Sequence, residues 1–459
     1  MTPGGRSAGR GADRGRGLVR RPAAVYERFM PNDSSPSTGL AERLAVGLQA
    51  LLPDLYDAYR DFHAHPELSM AEHRTARIVA ERLRAQGGWE VTEGVGGTGV
   101  VGVLRNGEGP TVLLRADMDA LPIREATGLP HASTDTAVNP DGETVPTMHA
   151  CGHDIHVTCL LGAAQLLAAH REDWSGTVLA VFQPGEETAA GARAMLDDGF
   201  LDRFPRPDVS LGQHVGPQPT GVVAVRPGPV MAAADSFRIR LFGRGGHGSS
   251  PQQTVDPVVM AASTVLRLQG VVSREIAATD SAVVTVGSLR AGFKENIIPD
   301  DAELKVNVRS FDPEVRERVL AAIKRIVNGE AQASGAPKDP EFSPLNAFPL
   351  TVNSDRATAR VMAALGAQQD IHVHEMRHPL PGSEDFGAFG TAAGCPSVFW
   401  FFGGSDPGLW SDPRQGEKDN LPAGVAGNHS PHFAPLADPA VPQGVRHLLH
   451  AAAEWLAEG

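Results

Sequence analysis

The pattern of apolar and polar positions divides the chain into outer stretches of alternating helices and strands and a middle stretch with a different rhythm. Apolar residues recur at helical spacing from Gly39 into the mid-sixties and again over 70–86. Val- and Leu-rich runs bounded by Gly, Asn or Pro predict strands at 98–106, 110–117, 176–184, 207–215 and 395–403. Further helices are predicted near 155–170, 190–199 and 354–367 and from about 440. This alternation predicts an α/β domain with a mixed, mostly parallel sheet covered by helices.

The middle stretch predicts an inserted α+β domain. Its order is strand, helix, strand, strand, helix and a further strand, at 234–244, 254–272, 281–292, 301–311, 313–334 and 338–343. This order is that of a split-βαβ, ferredoxin-like sandwich. We therefore expect one domain built from 40–220 and 340–459, with a second domain inserted at 221–339.

Length, charge and cysteine content limit the possible classes of function. A chain of 459 residues exceeds what one hydrophobic core usually supports, which agrees with two domains. A widely spread net charge of −13 argues against nucleic acid or an anionic membrane as the main partner. No run of about 18 apolar residues predicts a membrane span. The three cysteines do not form an even framework with short spacings, which favours a reducing compartment and hence a cytoplasmic location.

Residues 1–39 differ in composition from the rest of the chain. They are rich in Arg, Gly, Pro and Ser and contain too few apolar residues to build a core, so we expect a disordered basic extension. No apolar segment of the kind found in export signals follows the Arg20-Arg21 pair. A solvated tail or a true start at Met30 explains this extension better than a nucleic-acid-binding arm does.

The densest group of candidate metal ligands lies in the segment VPTMHACGHDIH, at 145–156. Cys151 and His153 are two positions apart, so in an extended or turning segment both side chains can face the same side. Gly152 between them permits a tight backbone turn. The alternative for this segment taken alone is a polar loop in which Asp154 caps the following helix.

Four further groups of polar residues lie where predicted strands end. The groups are Asp117 with Asp119, Glu186 with Glu187, His214, and His429 with His432. Taken singly, such acidic pairs are often solvated turn residues, and a lone histidine is more often hydrogen-bonded than a ligand. In an open α/β sheet, however, ligands bind beyond the carboxyl ends of the strands, and all four groups are predicted at that edge.

The residue types at this edge suit a pair of metal ions. One thiolate, three imidazoles and one carboxylate can bind two first-row divalent ions, and such ions can polarise a carbonyl and activate water. A neighbouring carboxylate must then take a proton from the water and deliver it to the leaving nitrogen. The adjacent Glu186 and Glu187 can divide these tasks, and Asp119 is placed to hold a ligand imidazole in the required tautomer.

Eight motifs resemble those of the M20 metallopeptidase and amidohydrolase family, in particular its N-acyl-amino-acid amidohydrolase branch, which includes hippurate hydrolase and auxin-conjugate hydrolase. They occur in the family's order over roughly 55–437: RADMDALPI (115–123), MHACGHD (148–154), FQPGEE (182–187), GQHVGP (212–217), GRGGHGSSP (243–251), ENIIPDDAEL (295–304), GSEDF (382–386) and NHSPHF (428–433). The long loop at 404–427 and the extension before residue 40 depart from the family pattern.

The resemblance implies roles for individual residues. The implied metal ligands are Cys151, His153, Glu187, His214 and His432. Glu186 is implied as the general base, and His247 as the residue that stabilises the oxyanion across a dimer interface. Asn296 and Arg309 are candidates for binding the substrate carboxylate, although Arg309 could equally decorate the outward face of its strand. The inserted domain is implied to serve as a lid and dimerisation domain.

The sequence thus predicts a dinuclear metal-dependent amidohydrolase that cleaves N-acyl amino acids, acts as a homodimer, and binds neither nucleic acid nor membrane. The thiolate ligand favours zinc, whereas the carboxylate leaves manganese, cobalt or nickel open. A dipeptidase or carboxypeptidase, or a deacetylase of the N-acetyl-diaminopimelate type, is the alternative within the class. A non-catalytic metal-binding relative is the alternative outside it.

Overall fold

The computed structural model describes residues 36–411 and 421–457. Most of the predicted basic extension and the centre of the loop predicted at 404–427 lie outside the described residues. Helix α1 spans Pro36–Leu44. The last four residues assigned to the extension are therefore helical, because α1 buries Leu40 and Leu44 against the rest of the domain.

An eight-stranded mixed sheet forms the larger domain. Its strands are β1 (Glu90–Val95), β2 (Gly99–Asn106), β3 (Thr111–Asp117), β6 (Gly176–Gln183), β7 (Val209–Pro219), β8 (Val222–Val225), β17 (His372–Glu375) and β18 (Ser397–Ser405). They lie side by side in the order β1-β2-β6-β3-β7-β18-β8-β17. The central strands β6, β3, β7 and β18 run parallel, as do β8 and β17. The carboxyl ends of the central strands therefore meet at one edge of the sheet.

Helices cover this sheet, and one of them is buried almost entirely. The covering helices are α2 (Leu48–Ala64), α3 (His73–Gln86), α4 (His153–Ala169), α5 (Gly191–Asp197), α6 (Phe200–Arg203), α9 (Asp355–Gly366), α10 (Gly387–Ala393) and α11 (Ala437–Leu456). Most residues of α4 are buried, as expected for a helix that is apolar on all sides. The first turn of α4 is thereby fixed firmly against the sheet.

A four-stranded antiparallel sheet and two helices form the smaller domain, which has a core of its own. The sheet has the order β12-β14-β10-β15, with β10 (Ala233–Phe242), β12 (Ala282–Ala291), β14 (Asp301–Ser310) and β15 (Glu341–Phe348). Helices α7 (Pro257–Arg274) and α8 (Pro313–Ala333) begin after Asp256 and Asp312, whose carboxylates accept hydrogen bonds from backbone N–H groups in the first turn. This arrangement is the predicted split-βαβ plan.

The structure divides the two domains at different residues from those the sequence suggested. Strand β8 lies beyond 220 but pairs with β17 and β18 of the large sheet, and β15 lies beyond 340 but pairs with β10 of the small sheet. Short strand pairs complete the fold: β4 (Thr136–Val138) with β5 (Thr144–Pro146), β9 (Gly228–Met231) with β16 (Thr351–Asn353), and β11 (Gly246–His247) with β13 (Ile297–Ile298). Within 36–411 and 421–457, none of the helices combines the length and the apolar character that a membrane span requires.

Helix α11 contains a buried histidine that predicts acid sensitivity. Neither ring nitrogen of His447 has a hydrogen-bond partner among the described residues, and burial lowers the pKa of His447 to about 3. The unfolded chain binds this proton near pH 6.5, so His447 costs stability increasingly as pH falls below 6.5. We expect His447→Phe to gain about 2 kcal/mol in unfolding free energy relative to wild type between pH 7.5 and pH 5. Urea unfolding at both pH values measures this change, with exposed His372→Phe as the control. A His447→Phe advantage that does not vary with pH would contradict the prediction.

Candidate active site

The candidate active site lies at the edge where the central parallel strands end. Asp117 is the last residue of β3, Glu186 and Glu187 follow β6, and His214 lies in β7. Helix α4 begins beside them at His153. The topology therefore brings together residues that are far apart in sequence, as the positions of the strand ends predicted.

Gly152 makes the turn that places Cys151 and His153 side by side. Its φ of 84° lies in the left-handed region, and a Cβ atom there would come within 2.4 Å of a methyl group of Val215. Only glycine fits both conditions without strain. The chain can thus turn directly from Cys151 into the first residue of α4.

Two groups of possible ligand atoms share Cys151. One group is Cys151, His153 and His214, and the other is Cys151, Glu187 and His429; within each group the ligand atoms lie within 4.8 Å of one another. The Cys151 sulfur is 3.4 Å from Nε2 of His214, and Nε2 of His429 is 3.3 Å from a Glu187 oxygen. A thiolate common to both groups is the arrangement expected of two adjacent metal ions.

An unsatisfied polar atom in these groups also fits a metal ligand. Nε2 of His153 is buried and has no hydrogen-bond partner within the described part of the chain. Leaving such an atom without a partner costs free energy, which a bound cation would remove. The donor set of sulfur, imidazole nitrogen and carboxylate oxygen suits zinc and related ions.

The electrostatic surroundings favour added positive charge. Hydrogen bonds to Cys151 and Glu187 raise the pKa of His429 to about 10. Burial opposes charge on His153, yet Asp117 and Cys151 raise its pKa well above the usual value. Burial and then Glu187 raise the pKa of the Cys151 thiol, so a neighbouring cation is needed to keep it as a thiolate.

Asp119 contacts two of the candidate ligands. Nδ1 of His153 donates to the Asp119 carbonyl oxygen at 2.8 Å, which leaves Nε2 of His153 as the nitrogen available to a metal ion. The Asp119 carboxylate accepts hydrogen bonds from the Glu187 backbone N–H at 3.0 Å and from the Ser69 hydroxyl at 2.6 Å. Asp119 therefore contacts both candidate ligands, and its orienting role stays a prediction.

The structure brings His429, rather than His432, to the candidate ligands, and this corrects the position taken from the family resemblance. The His429 backbone N–H donates to the Ala150 carbonyl at 2.7 Å, and the Asn428 amide donates to the Cys151 carbonyl at 3.1 Å. His432 is exposed, and its Nδ1 donates to the Ala126 carbonyl at 2.8 Å. The backbone of His429 is left-handed, with φ 66°, and this turn directs which of the two imidazoles faces Cys151.

Glu186 lies beside the ligand groups and is 5% exposed. Burial raises its pKa, and the carboxylates of Glu384 and Glu187 raise it further. A carboxylate with a raised pKa can both accept and return a proton near neutral pH. The turn before it is held by buried Glu72, whose carboxylate accepts a hydrogen bond from the Gly185 N–H at 2.8 Å.

His247 and Asn296 lie together in the smaller domain. Strands β11 and β13 pair His247 with Ile297, and the Gly248 N–H donates to the Asn296 carbonyl at 2.9 Å. Nδ1 of His247 accepts from the Ser249 backbone N–H at 3.1 Å, which leaves Nε2 as the nitrogen that carries a proton. Exposed His247 can therefore donate a hydrogen bond from Nε2.

Arg309 connects the two domains. One nitrogen of its guanidinium donates to the Pro381 carbonyl and to the Ser383 hydroxyl. Since Ser383 belongs to the GSEDF motif, Arg309 holds the smaller domain against a segment that leads to the site. Arg309 is therefore not only an outward-facing residue of its strand, because it also contacts the segment at Pro381 and Ser383.

Several buried residues around the site were not predicted from the sequence, and His63 is the clearest case. Its Nδ1 donates to Asp154 at 2.7 Å and its Nε2 to Glu125 at 3.0 Å. Burial opposes charge on His63, but these bonds raise its pKa to about 10, so the ring is an imidazolium. The apolar spacing of α2 indicates that His63 is buried, but Asp154 lies 91 positions away and leaves no local signal.

Comparison with known proteins identifies the family. The profile of the peptidase family M20/M25/M40 matches residues 113–426. The chain belongs to this family. It is 39% identical to hippurate hydrolase from Campylobacter jejuni over 362 residues, which are 76% of this chain and 90% of that protein. It is 38% identical to thermostable carboxypeptidase 2 from Saccharolobus solfataricus over 369 residues, which are 79% of this chain and 89% of that protein.

A solved structure extends this similarity to the fold. A dinuclear metal-binding peptidase of family M20 from Bacillus subtilis is 30% identical to this chain and has a TM-score of 0.68. The matched region is 88% of this chain and 98% of that protein. These findings confirm the family, the mixed α/β fold and the predicted class of a metal-dependent amidohydrolase.

Proposed function

We propose that this M20 hydrolase cleaves the amide bond of small N-acyl amino acids, releasing a carboxylic acid and a free amino acid. The observation that carries the proposal is the pair of ligand groups that share Cys151, with buried Glu186 beside them. The relative named hippurate hydrolase supports an acylated amino acid as the substrate.

Two divalent ions would be held by this chain's own residues. We assign Cys151, His153 and His214 to one ion, and Cys151, Glu187 and His429 to the other. The thiolate favours zinc, and manganese, cobalt or nickel would also suit these ligands. Such ions, when bound, would make water a nucleophile near neutral pH and would polarise the acyl carbonyl.

The remaining residues would transfer protons, stabilise the oxyanion and bind the substrate carboxylate. Glu186 accepts a proton from the attacking water and later delivers it to the departing amine. His247 donates from Nε2 to the oxyanion. Asn296 and Arg309 are assigned to the substrate carboxylate; both hydrogen bonds of Arg309 use Nη1, and its other guanidinium donors are available in the described structure.

The smaller domain is proposed to serve as a lid and as the contact with a second copy of the chain. Strand β12 is an edge of its sheet and exposes Val283 and Leu289, while α7 exposes Val259 and Leu266. An apolar edge strand beside an apolar helix face is a surface that a second copy can cover. Sedimentation of a monomer at micromolar concentration would contradict both the dimer and a role for His247 across its interface.

A cytoplasmic location is also proposed. All three cysteines are free, although Cys151 and Cys159 are buried and Cys395 is partly buried. Free thiols agree with a reducing compartment.

A second candidate reaction is supported by the relatives named carboxypeptidase. Peptide and N-acyl bonds are both amides, and the same residues could attack either. The two reactions differ in whether the acyl part is a simple carboxylic acid or an aminoacyl or peptidyl group.

A substrate panel distinguishes these reactions. The purified protein is incubated with benzoyl-glycine, N-acetyl amino acids, indole-acetyl amino acids and simple dipeptides, and the released amine is quantified. We expect release from the acylated amino acids with added metal and no release with chelator. Preferential release from dipeptides would replace the proposed substrate class, and no release by metal-loaded protein would contradict the proposed function.

A further inference from the structure

A buried arginine links the metal ligands to the segment that carries Glu186. Arg115 lies in the middle of β3, and its side chain is fully buried. The neighbouring residues of β3 are almost all apolar and buried. A charged side chain in such a strand is expensive to bury, so its contacts need a specific explanation.

Every donor of the Arg115 guanidinium has an acceptor. Nε donates to Gln183 at 2.8 Å, Nη1 donates to Asp117 at 2.7 Å and to Glu384 at 3.3 Å, and Nη2 donates to Glu384 at 2.7 Å and to Asp385 at 3.2 Å. A guanidinium has five N–H donors in a rigid plane, whereas a lysine ammonium has three donors around a single point. The site is thus built for arginine, and lysine could not reproduce its directions.

One side of this network leads to the metal ligands. Asp117 accepts a hydrogen bond from Nδ1 of His156 at 2.6 Å, and Nε2 of His156 accepts from the Val215 N–H at 2.8 Å. Val215 directly follows the candidate ligand His214. An oxygen of Asp117 is also 3.5 Å from Nε2 of His153.

The other side leads to the general base. Gln183 ends β6 three positions before Glu186, and its amide donates to Asp385 at 2.7 Å. Asp385 also accepts from the Ala192 N–H at 3.0 Å, beyond the turn that carries Glu186. Arg115 and its acidic partners therefore hold the segments on both sides of the Glu186 turn.

We propose that Arg115 is a positioning residue that fixes the general base relative to the metal ligands. This inference rests on the proposed function, because it assigns Glu186 as the base. Misplacing a reacting group by about 1 Å can cost about 100-fold in rate without loss of substrate binding. Arg115 is expected to act on the chemical step more than on KM.

The test compares Arg115→Lys with wild type in steady-state kinetics and in metal content. We expect kcat to fall about 100-fold, KM to change less than about threefold, and the two metal ions per chain to remain. Arg316→Lys is the matched control, because Arg316 forms a bidentate pair with Asp235 in the smaller domain, and this variant should keep wild-type kcat. A purely structural role would lower the unfolding midpoint of Arg115→Lys while leaving kcat of the folded, metal-loaded fraction unchanged, and this result would overturn the inference.

Glu384→Gln provides a second route if Arg115→Lys does not fold. It keeps the size of the side chain and removes the charge that accepts from both Nη atoms, and we expect kcat to fall about 10-fold at unchanged KM. Wild-type kcat in this variant would overturn the inference while the proposed function stands. Absence of hydrolysis by the metal-loaded wild type would instead overturn the proposed function, and with it the inference.

Discussion

Glu186→Gln is expected to lower kcat by about 10²- to 10⁴-fold while the protein keeps two metal ions per chain. Glutamine has nearly the same shape but cannot accept and return a proton, and Glu186 belongs to neither of the two ligand groups that share Cys151. Steady-state amine release and metal analysis of the same preparation measure both quantities. Exposed Glu172→Gln is the control for the loss of one charge. Near-wild-type kcat in Glu186→Gln would contradict its assignment as the base.

His429→Ala is expected to remove one of the two metal ions and to lower activity by about 100-fold or more. The reason is that the imidazole of His429 contacts Glu187 and Cys151, whereas the ring of His432 is bound to the Ala126 carbonyl. His432→Ala is therefore the matched control, three positions away in the same exposed loop, and should keep both metals and activity within about threefold of wild type. Loss of metal in His432→Ala but not in His429→Ala would restore the assignment made from the family resemblance.

The fold and most of the candidate site follow from the sequence for a physical reason. Buried parallel strands have a strong apolar signature, and the rule that ligands collect at their carboxyl ends places Asp117, Glu187 and His214 together. The two groups of possible ligand atoms that share Cys151 include Glu187 and His214, as this rule predicts. Strand pairing fixes the relative positions of residues that are far apart in sequence. The sequence therefore predicts that these side chains lie close together.

The choice between His429 and His432 depends on loop geometry, which the sequence does not encode in an obvious way. Both histidines lie in one short motif, and the left-handed backbone of His429 determines which ring faces Cys151. A non-glycine residue with positive φ is uncommon, and no local sequence pattern predicts one at His429. The hydrogen bonds of Asn428 then fix the loop in place.

Local sequence patterns also do not predict the buried networks of charged residues. Arg115 and Glu384 are 269 positions apart, and His63 and Asp154 are 91 positions apart. Each residue alone suggests a solvated charge or an isolated histidine, and only the folded arrangement shows that the charges are paired. The domain boundaries differ for a similar reason, because the partner strands of β8 and β15 are separated from them in sequence.

The assignment of two metal ions and of amide hydrolysis is tested by a metal titration of metal-free protein, followed by measurement of amine released from an N-acyl amino acid. We predict no hydrolysis without metal and a rise in rate that reaches its plateau at two equivalents per chain, with Zn²⁺ or Mn²⁺ as the added ion. Full activity in protein shown to contain no metal would contradict the metal-dependent mechanism, and a plateau at one equivalent would contradict the assignment of two ligand groups that share Cys151.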